Sequence, residues 1–280
     1  LESVRHGHKL KTGHLRANRF EVILRGRRDG GLREAQARAA DLVRRGMPNR
    51  YGSQRFGRDG ENAARARAIL ASGRAPRDRR AARFLISALQ SEVFNALLEE
   101  RAEHYDEVEL GDLARVEESG GLFWVDDLDR EAPRAAAFEI SATGPIFGTK
   151  MRVPRGEAWQ RELRVFQRFG VPEPARLRLP RGIRARGTRR PLRVRPTDLE
   201  VSELDGGVGM RISCALPSGA YMTVLLELLV GPVADASGAE RSPDEAEVRG
   251  VSWAESEPGA ANAASDHGRA ALGLDGDEDS

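Results

Sequence analysis

The 280-residue chain has a single cysteine, Cys214, so it can form neither an intrachain disulfide nor a cysteine-based zinc site. The setting of that thiol in Ile212-Ser213-Cys214-Ala215-Leu216 reads as a buried strand position, and a reducing, cytoplasmic location follows as the default. No run of about 18 apolar residues occurs, which excludes a membrane-spanning helix. Lysine is confined to Lys9, Lys11 and Lys150, so arginine supplies nearly all of the 45 basic side chains. The first residue is Leu1 and no signal-peptide pattern follows it, so the opening reads as the middle of something longer.

The near-neutral total of +2 conceals a strong asymmetry. The last 50 residues hold 12 acidic and 3 basic side chains, against 31 acidic and 42 basic in the first 230. A basic body suits a polyanionic partner. From Pro232 onward the chain is dominated by Ala, Gly, Ser, Asp and Glu, and residues 232–280 are expected to form a disordered acidic tail.

At the other end His6, His8 and His14 fall close together, but without acidic or cysteine partners and without helical spacing, so no metal is expected. Phosphate contact by Lys9, Lys11, His14 and Arg16 fits that stretch better. Asn18 to Arg25 alternates as a strand, with Asn18, Phe20, Val22 and Leu24 on one face. Amphipathic or alanine-rich periodicity predicts helices over 31–45, 61–72, 79–102 and 157–169. Strands are expected at 122–125, 138–140, 198–204 and 208–216, the last two joined by a turn at Asp205-Gly206-Gly207. After Leu216 the serine and glycine of Pro217-Ser218-Gly219 can cap a final helix, whose N-terminus would be an anion site.

Between the first two helices lies Gly46-Met47-Pro48-Asn49-Arg50-Tyr51-Gly52-Ser53-Gln54-Arg55-Phe56-Gly57-Arg58-Asp59-Gly60. Four glycines, a proline and two rings exclude a regular helix, and Gln54 and Arg55 place long polar donors between aromatics. Such a mixture suits phosphates and bases, although an ordered structural loop would look the same.

That block resembles the signature of the TruD family of RNA pseudouridine synthases, with Arg50 standing between Asn49 and the aromatic Tyr51. Further segments are similar to family motifs in the same order. They are Lys9-Leu10 through Asn18 and Phe20 (Ala17 replacing a usual glycine), Arg83 to Asn95, Thr143-Gly144-Pro145-Ile146-Phe147-Gly148, Gly187 to Leu192, and Leu216 to Leu228.

The resemblance implies an α+β fold: a pseudouridine-synthase catalytic domain on a mostly antiparallel sheet, formed by 1–46 and 186–231. An α+β TRUD domain, 47–185, is inserted into it, and the cleft between the two takes the RNA. It implies isomerisation of uridine to pseudouridine, uridine 13 of tRNA being the bacterial case, by base flipping and glycosidic-bond cleavage. No metal or cofactor is involved, and a monomer acting on tRNA or another structured RNA is expected. Asn18 and Phe20 are carried over as the pocket for the extruded base. Lys9, Lys11, His14, Gln54, Arg55, Arg189 and Arg190 are RNA contacts, with Gly52, Gly57, Gly144 and Pro145 in structural loops. The family's nucleophilic aspartate precedes the Asn18 block in its own motif, and the 17 residues before Asn18 contain no aspartate. This chain is therefore expected to be inactive alone, the alternative being a non-catalytic RNA-binding protein of the same fold.

Overall fold

The computed structural model describes residues 17–26, 30–56, 61–74, 76–204, 206–207 and 209–232. Strand β1 (Ala17–Arg25) leads to α1 (Gly31–Arg45) and a two-residue β2 (Met47–Pro48). A 3-10 turn (Ser53–Phe56), α2 (Glu61–Ser72) and α3 (Arg79–Glu100) follow. Next come β3 (Leu113–Val116), β4 (Leu122–Trp124), α4 (Leu128–Ala136), β5 (Ile140–Ile146) and α5 (Gly156–Arg168). The chain closes with β6 (Thr188–Pro191), β7 (Arg193–Val194), β8 (Thr197–Glu203), β9 (Gly209–Pro217) and α6 (Met222–Val230).

Local chemistry fixes several of these ends. Helix α1 buries Ala35, Ala39 and Leu42 at helical spacing, then stops at Gly46, whose φ of 84° lets its N–H return to Leu42 O at 2.9 Å. A side chain at Gly46 would also strike the Phe138 ring, 2.6 Å from an added Cβ. Helix α3 starts at Asp78, whose carboxylate accepts from the N–H groups of Arg80 and Ala81. No described helix is long and apolar enough to cross a membrane.

All strand pairs are antiparallel. β1, β9 and β8 form one sheet in that order; β4, β3, β5 and β6 form another; β2 pairs with β7. Two hydrophobic clusters result. One gathers Phe94, Ile140, Phe147, Phe166 and Leu192 from the segment between Ala63 and Leu192. In the other, α1 and α6 cover the first sheet, with Met210, Ile212, Cys214 and Leu216 buried beneath Leu225 and Leu229. Arg193, 2% exposed, stitches the clusters where the chain passes between them. It donates to Arg45 O at 3.0 Å on one side and to Ser141 Oγ and Ile140 O on the other, with its guanidinium 4.0 Å from the Phe138 ring centroid.

The structure departs from the sequence-based expectations at four places. Thr143 to Ile146 is not a loop but the second half of β5, so Gly144 and Pro145 are strand residues. Pairing with β3 has ended by Thr143 and only β6 remains alongside, so Pro145 sits where one strand edge makes no ladder bond and its missing N–H costs nothing. β6, a strand not expected from the sequence, lies within the 186–231 stretch that the resemblance groups with 1–46, yet it bonds to β5, and the clusters change over between Leu192 and Val194. Phe138 is not in a strand; it has φ 60° after α4, held there by its buried ring between Arg193 and Arg195. Neither Ser218 nor Gly219 caps α6: they form a turn closed by Ala220 N–H to Pro217 O, with Gly219 at φ 86°, and Tyr221 is the N-cap. The residues expected to form the acidic tail, from 233 onward, lie outside the described residues.

Candidate functional site

Among the described residues β1 lies at a sheet edge and pairs only with β9, Asn18 opposite Leu216 and Phe20 opposite Cys214. Asn18 is exposed, whereas Phe20 is half-buried and packs on the cluster beneath α6. Opposite Phe20, Cys214 Sγ lies 3.7 Å from Met222 Sδ, the first residue of α6. The strand mouth and the N-terminus of α6 are thereby neighbours.

On the other side of that N-terminus sits the 49–56 loop. Asn95 on α3 holds it through both polar atoms: Tyr51 N–H donates to Asn95 Oδ1 at 2.8 Å, and Asn95 Nδ2 donates to Tyr51 O at 3.0 Å. Gly52 lies against α6, where an added Cβ would be 3.0 Å from Thr223 Oγ1 and 3.1 Å from the Tyr221 ring. The Tyr51 ring meets Phe94 and Tyr221 edge to face at 5.7 and 5.8 Å. Over it, at 4.2 Å, lies the guanidinium of Arg190. Arg190 also donates to Asn49 O at 3.1 Å and Gly219 O at 2.7 Å, so one side chain joins the loop, β6 and the turn before α6. Arg55 donates to Ser87 Oγ and Ser91 Oγ of α3.

Neither Arg55 nor Arg190 forms an ion pair with any described carboxylate. Burial pulls the Arg190 pKa down, and the nearby Arg55 charge acts in the same direction against the two tyrosines. Burial pushes the Tyr221 hydroxyl up, opposed by Arg55 and Arg190. Two guanidiniums beside two tyrosine rings and the amides of a helix start without a side-chain cap make a site for an anion with an attached planar group. A separate groove of about 850 Å³ lies between α1 and α3, lined by Arg38, Asp41, Arg50, Glu99 and Tyr105; neither Asn18 nor Phe20 reaches it.

A family model described as tRNA pseudouridine synthase D (TruD) matches residues 1–73 and 67–228. The chain belongs to the TruD family. The tRNA pseudouridine synthase D of Anaeromyxobacter dehalogenans (strain 2CP-C) is 42% identical over 237 residues, covering 82% of this chain and 66% of the relative. That of a Thermus thermophilus strain is 42% identical over 246 residues, covering 86% and 66%. The Geobacter metallireducens protein of the same name is 35% identical, covering 82% and 72%. The chain thus spans about two thirds of the length of these curated relatives, falling just short of that share in the first two. A crystal structure of a TruD protein from Methanosarcina mazei superposes with a TM-score of 0.59 at 18% identity, over 78% of this chain and 69% of that one, and shows the shared fold.

Within this TruD-family chain the sequence-derived site residues separate into groups. Arg190 and Arg55 come together around Tyr51, with exposed Gln54 next to them and Gly52 packed behind. Asn18 and Phe20 share a strand face, and Cys214, opposite Phe20, touches the first residue of α6. Arg189 does not belong with them. Its guanidinium is buried and bonded to both Glu162 carboxylate oxygens, at 2.9 and 2.5 Å, and to Thr143 O, so it cannot reach a phosphate. Alternation along β6 explains this, since Arg189 and Arg190 point to opposite faces. Gly144 is where Phe94 and Leu192 close over the backbone. Lys9, Lys11, His14 and Gly57 lie outside the described residues. Sequence reasoning passed over Tyr221 and Asn95, although both stand in quoted motifs. Their partners lie 170 and 44 positions away, and no local periodicity marks such pairs.

Proposed function

We propose that this chain is the RNA-holding portion of a tRNA pseudouridine synthase, and that it binds tRNA or a similarly structured RNA across the junction of its two hydrophobic clusters. The observation that carries the reading is the Arg55–Arg190 pair, held beside Tyr51 and Tyr221 without a carboxylate. A phosphodiester supplies the missing charge. On this reading the second cluster belongs to a split catalytic domain and the first to an inserted one. A uridine extruded from the RNA then meets Phe20 by stacking and Asn18 by its edge, which offsets the cost of unstacking it.

The isomerisation requires a nucleophile that attacks the extruded nucleoside, frees the uracil and accepts it back through C5. Of the described aspartates, all but Asp129, which is exposed in the first turn of α4, are engaged elsewhere. Asp106 and Asp41 pair with Arg45, Asp112 with Arg101 and Asp126 with Arg130, whereas Asp78 and Asp127 cap helices. Asp198 faces Arg19 on the other side of the sheet from Phe20. The chain by itself accordingly binds RNA and leaves uridine unconverted, as a cytoplasmic monomer without metal or cofactor.

The test is to incubate the purified chain with an unmodified tRNA transcript, measure binding by anisotropy, and digest the RNA for nucleoside chromatography. Micromolar or tighter binding with no pseudouridine is expected. Pseudouridine formed by the chain alone would overturn the division of labour, and absence of tRNA binding would overturn the reading as a whole.

A further inference from the structure

Phe84 stands on the opening turns of α3 with 47% of its surface exposed, in a helix whose other large apolar side chains are mostly buried. Along the same side of α3, at steps of three and four, run Ser87, Ser91 and Asn95. Those three hold the 49–56 loop: Asn95 through Tyr51, Ser87 and Ser91 through Arg55. The row therefore begins at the Tyr51 site and ends on an uncovered ring. Arg55 spans the gap, its guanidinium 5.9 Å from the Phe84 ring centroid while its donors rest on the two serines. Gln54, exposed beside it, carries both an amide donor and an acceptor. Arg77, Arg79 and Arg83 are exposed around the same end of the helix, and none pairs with a described carboxylate. An exposed apolar ring gains nothing from water, and a fringe of unneutralised arginines disfavours a basic partner while favouring a polyanion.

We propose that Phe84 is a second base platform: an unpaired nucleobase of the bound RNA stacks on its open face while Arg55 and the arginines around it hold the adjoining phosphates. This inference rests on the RNA-binding reading above and adds a contact apart from the Asn18–Phe20 strand mouth. Stacking on an aromatic ring is tolerant of base identity. The platform therefore fixes how a single-stranded stretch lies along α3 and does not select the uridine to be modified.

The decisive experiment measures anisotropy of a fluorescein-labelled twelve-nucleotide uridine oligomer and of a tRNA transcript with the whole chain. It compares wild type with Phe84→Ala, Phe84→Leu and Phe84→Trp at several salt concentrations. Phe84→Ala is expected to weaken oligomer binding about tenfold, in line with roughly 1–3 kcal/mol per stacked base. Its salt slope should not change, because no phosphate contact is lost. Phe84→Leu keeps an apolar side chain for the fold but has no ring face, and should bind about as weakly as Phe84→Ala. Phe84→Trp should remain within about twofold of wild type. Equal oligomer affinity for wild type and Phe84→Leu would overturn the platform, as would Trp binding no better than Ala. If wild type binds neither RNA, the underlying RNA-binding reading fails instead, which separates the two failures.

Discussion

Single side chains in this molecule decide whether a residue serves the fold or faces the solvent. Gly144 is a case of space. An added Cβ would lie 2.9 Å from two Phe94 ring carbons and 3.1 Å from Leu192 Cδ2, and both side chains are wholly buried. Neither can give way, so Gly144→Ala should cost about 1–3 kcal/mol of stability, read as a lower urea midpoint. Cys214 is a case of access. It is fully buried, and burial pushes its thiol up to about 11, so almost no thiolate exists near neutral pH. Iodoacetamide at pH 8 should leave it unmodified in the native chain and label it fully in denaturant; rapid native labelling would show that α6 does not stay seated on β9.

The end of α1 is where elements meet. Gly46 stops the helix, Tyr105 Oη donates to Gly46 O at 2.9 Å, and Arg45 is bonded to both oxygens of Asp106 beyond the end of α3. The hydrogen bond from Arg45 holds the Asp106 carboxyl below its usual range, with burial opposing and the Arg45 charge assisting. A carboxyl depressed on folding contributes stability that is complete above its unfolded pKa near 4 and disappears as pH falls through the folded value. Asp106→Asn should therefore cost about 1–2 kcal/mol at pH 7, and its deficit against wild type should shrink below about pH 4. A deficit that stays constant from pH 7 to pH 3 in urea titrations would show that the link is not ionic. Most of the helices were legible in the sequence, α1 and α2 to the residue, because their apolar spacing and the glycine stops after them are local signals, whereas α4, short and with Pro133 inside it, was not expected. β5 was misread beyond Ala142 because a glycine and a proline look like a turn, and only the change of partner from β3 to β6 makes room for them. Arg189 was misread because its carboxylate lies 27 residues earlier on α5, and burial is set by which face of β6 it occupies.

At the scale of the whole molecule, charge and architecture combine. Of the basic side chains in the first 230 residues, many are neutralised locally, Arg45, Arg101, Arg134, Arg161 and Arg189 among them. Others are not. Arg55 and Arg190 sit at the junction of the two clusters, and Arg176, Arg178, Arg181, Arg184 and Arg186 are each exposed, with no described carboxylate partner. Formal charge therefore overstates the positive field over much of the surface and understates it at the junction and around those exposed arginines. On the proposed RNA-binding reading, RNA lying across these arginines would displace its counterions there. The logarithm of the association constant should fall with the logarithm of salt concentration, with a slope of about −1.4 to −1.8, or steeper, if at least two phosphates are neutralised. Arg55→Gln, which keeps a hydrogen-bonding side chain but removes the charge, should flatten that slope by about 0.7–0.9. Arg189→Gln should lower stability through the buried Glu162 left without its partner, yet leave the slope of the remaining folded protein unchanged. The measurement is anisotropy with a tRNA transcript between 50 and 300 mM salt, roughly the range in which such slopes are resolved. If Arg189→Gln flattened the slope and Arg55→Gln did not, the buried pair would have to open in the complex and the RNA would run along the opposite face of β6.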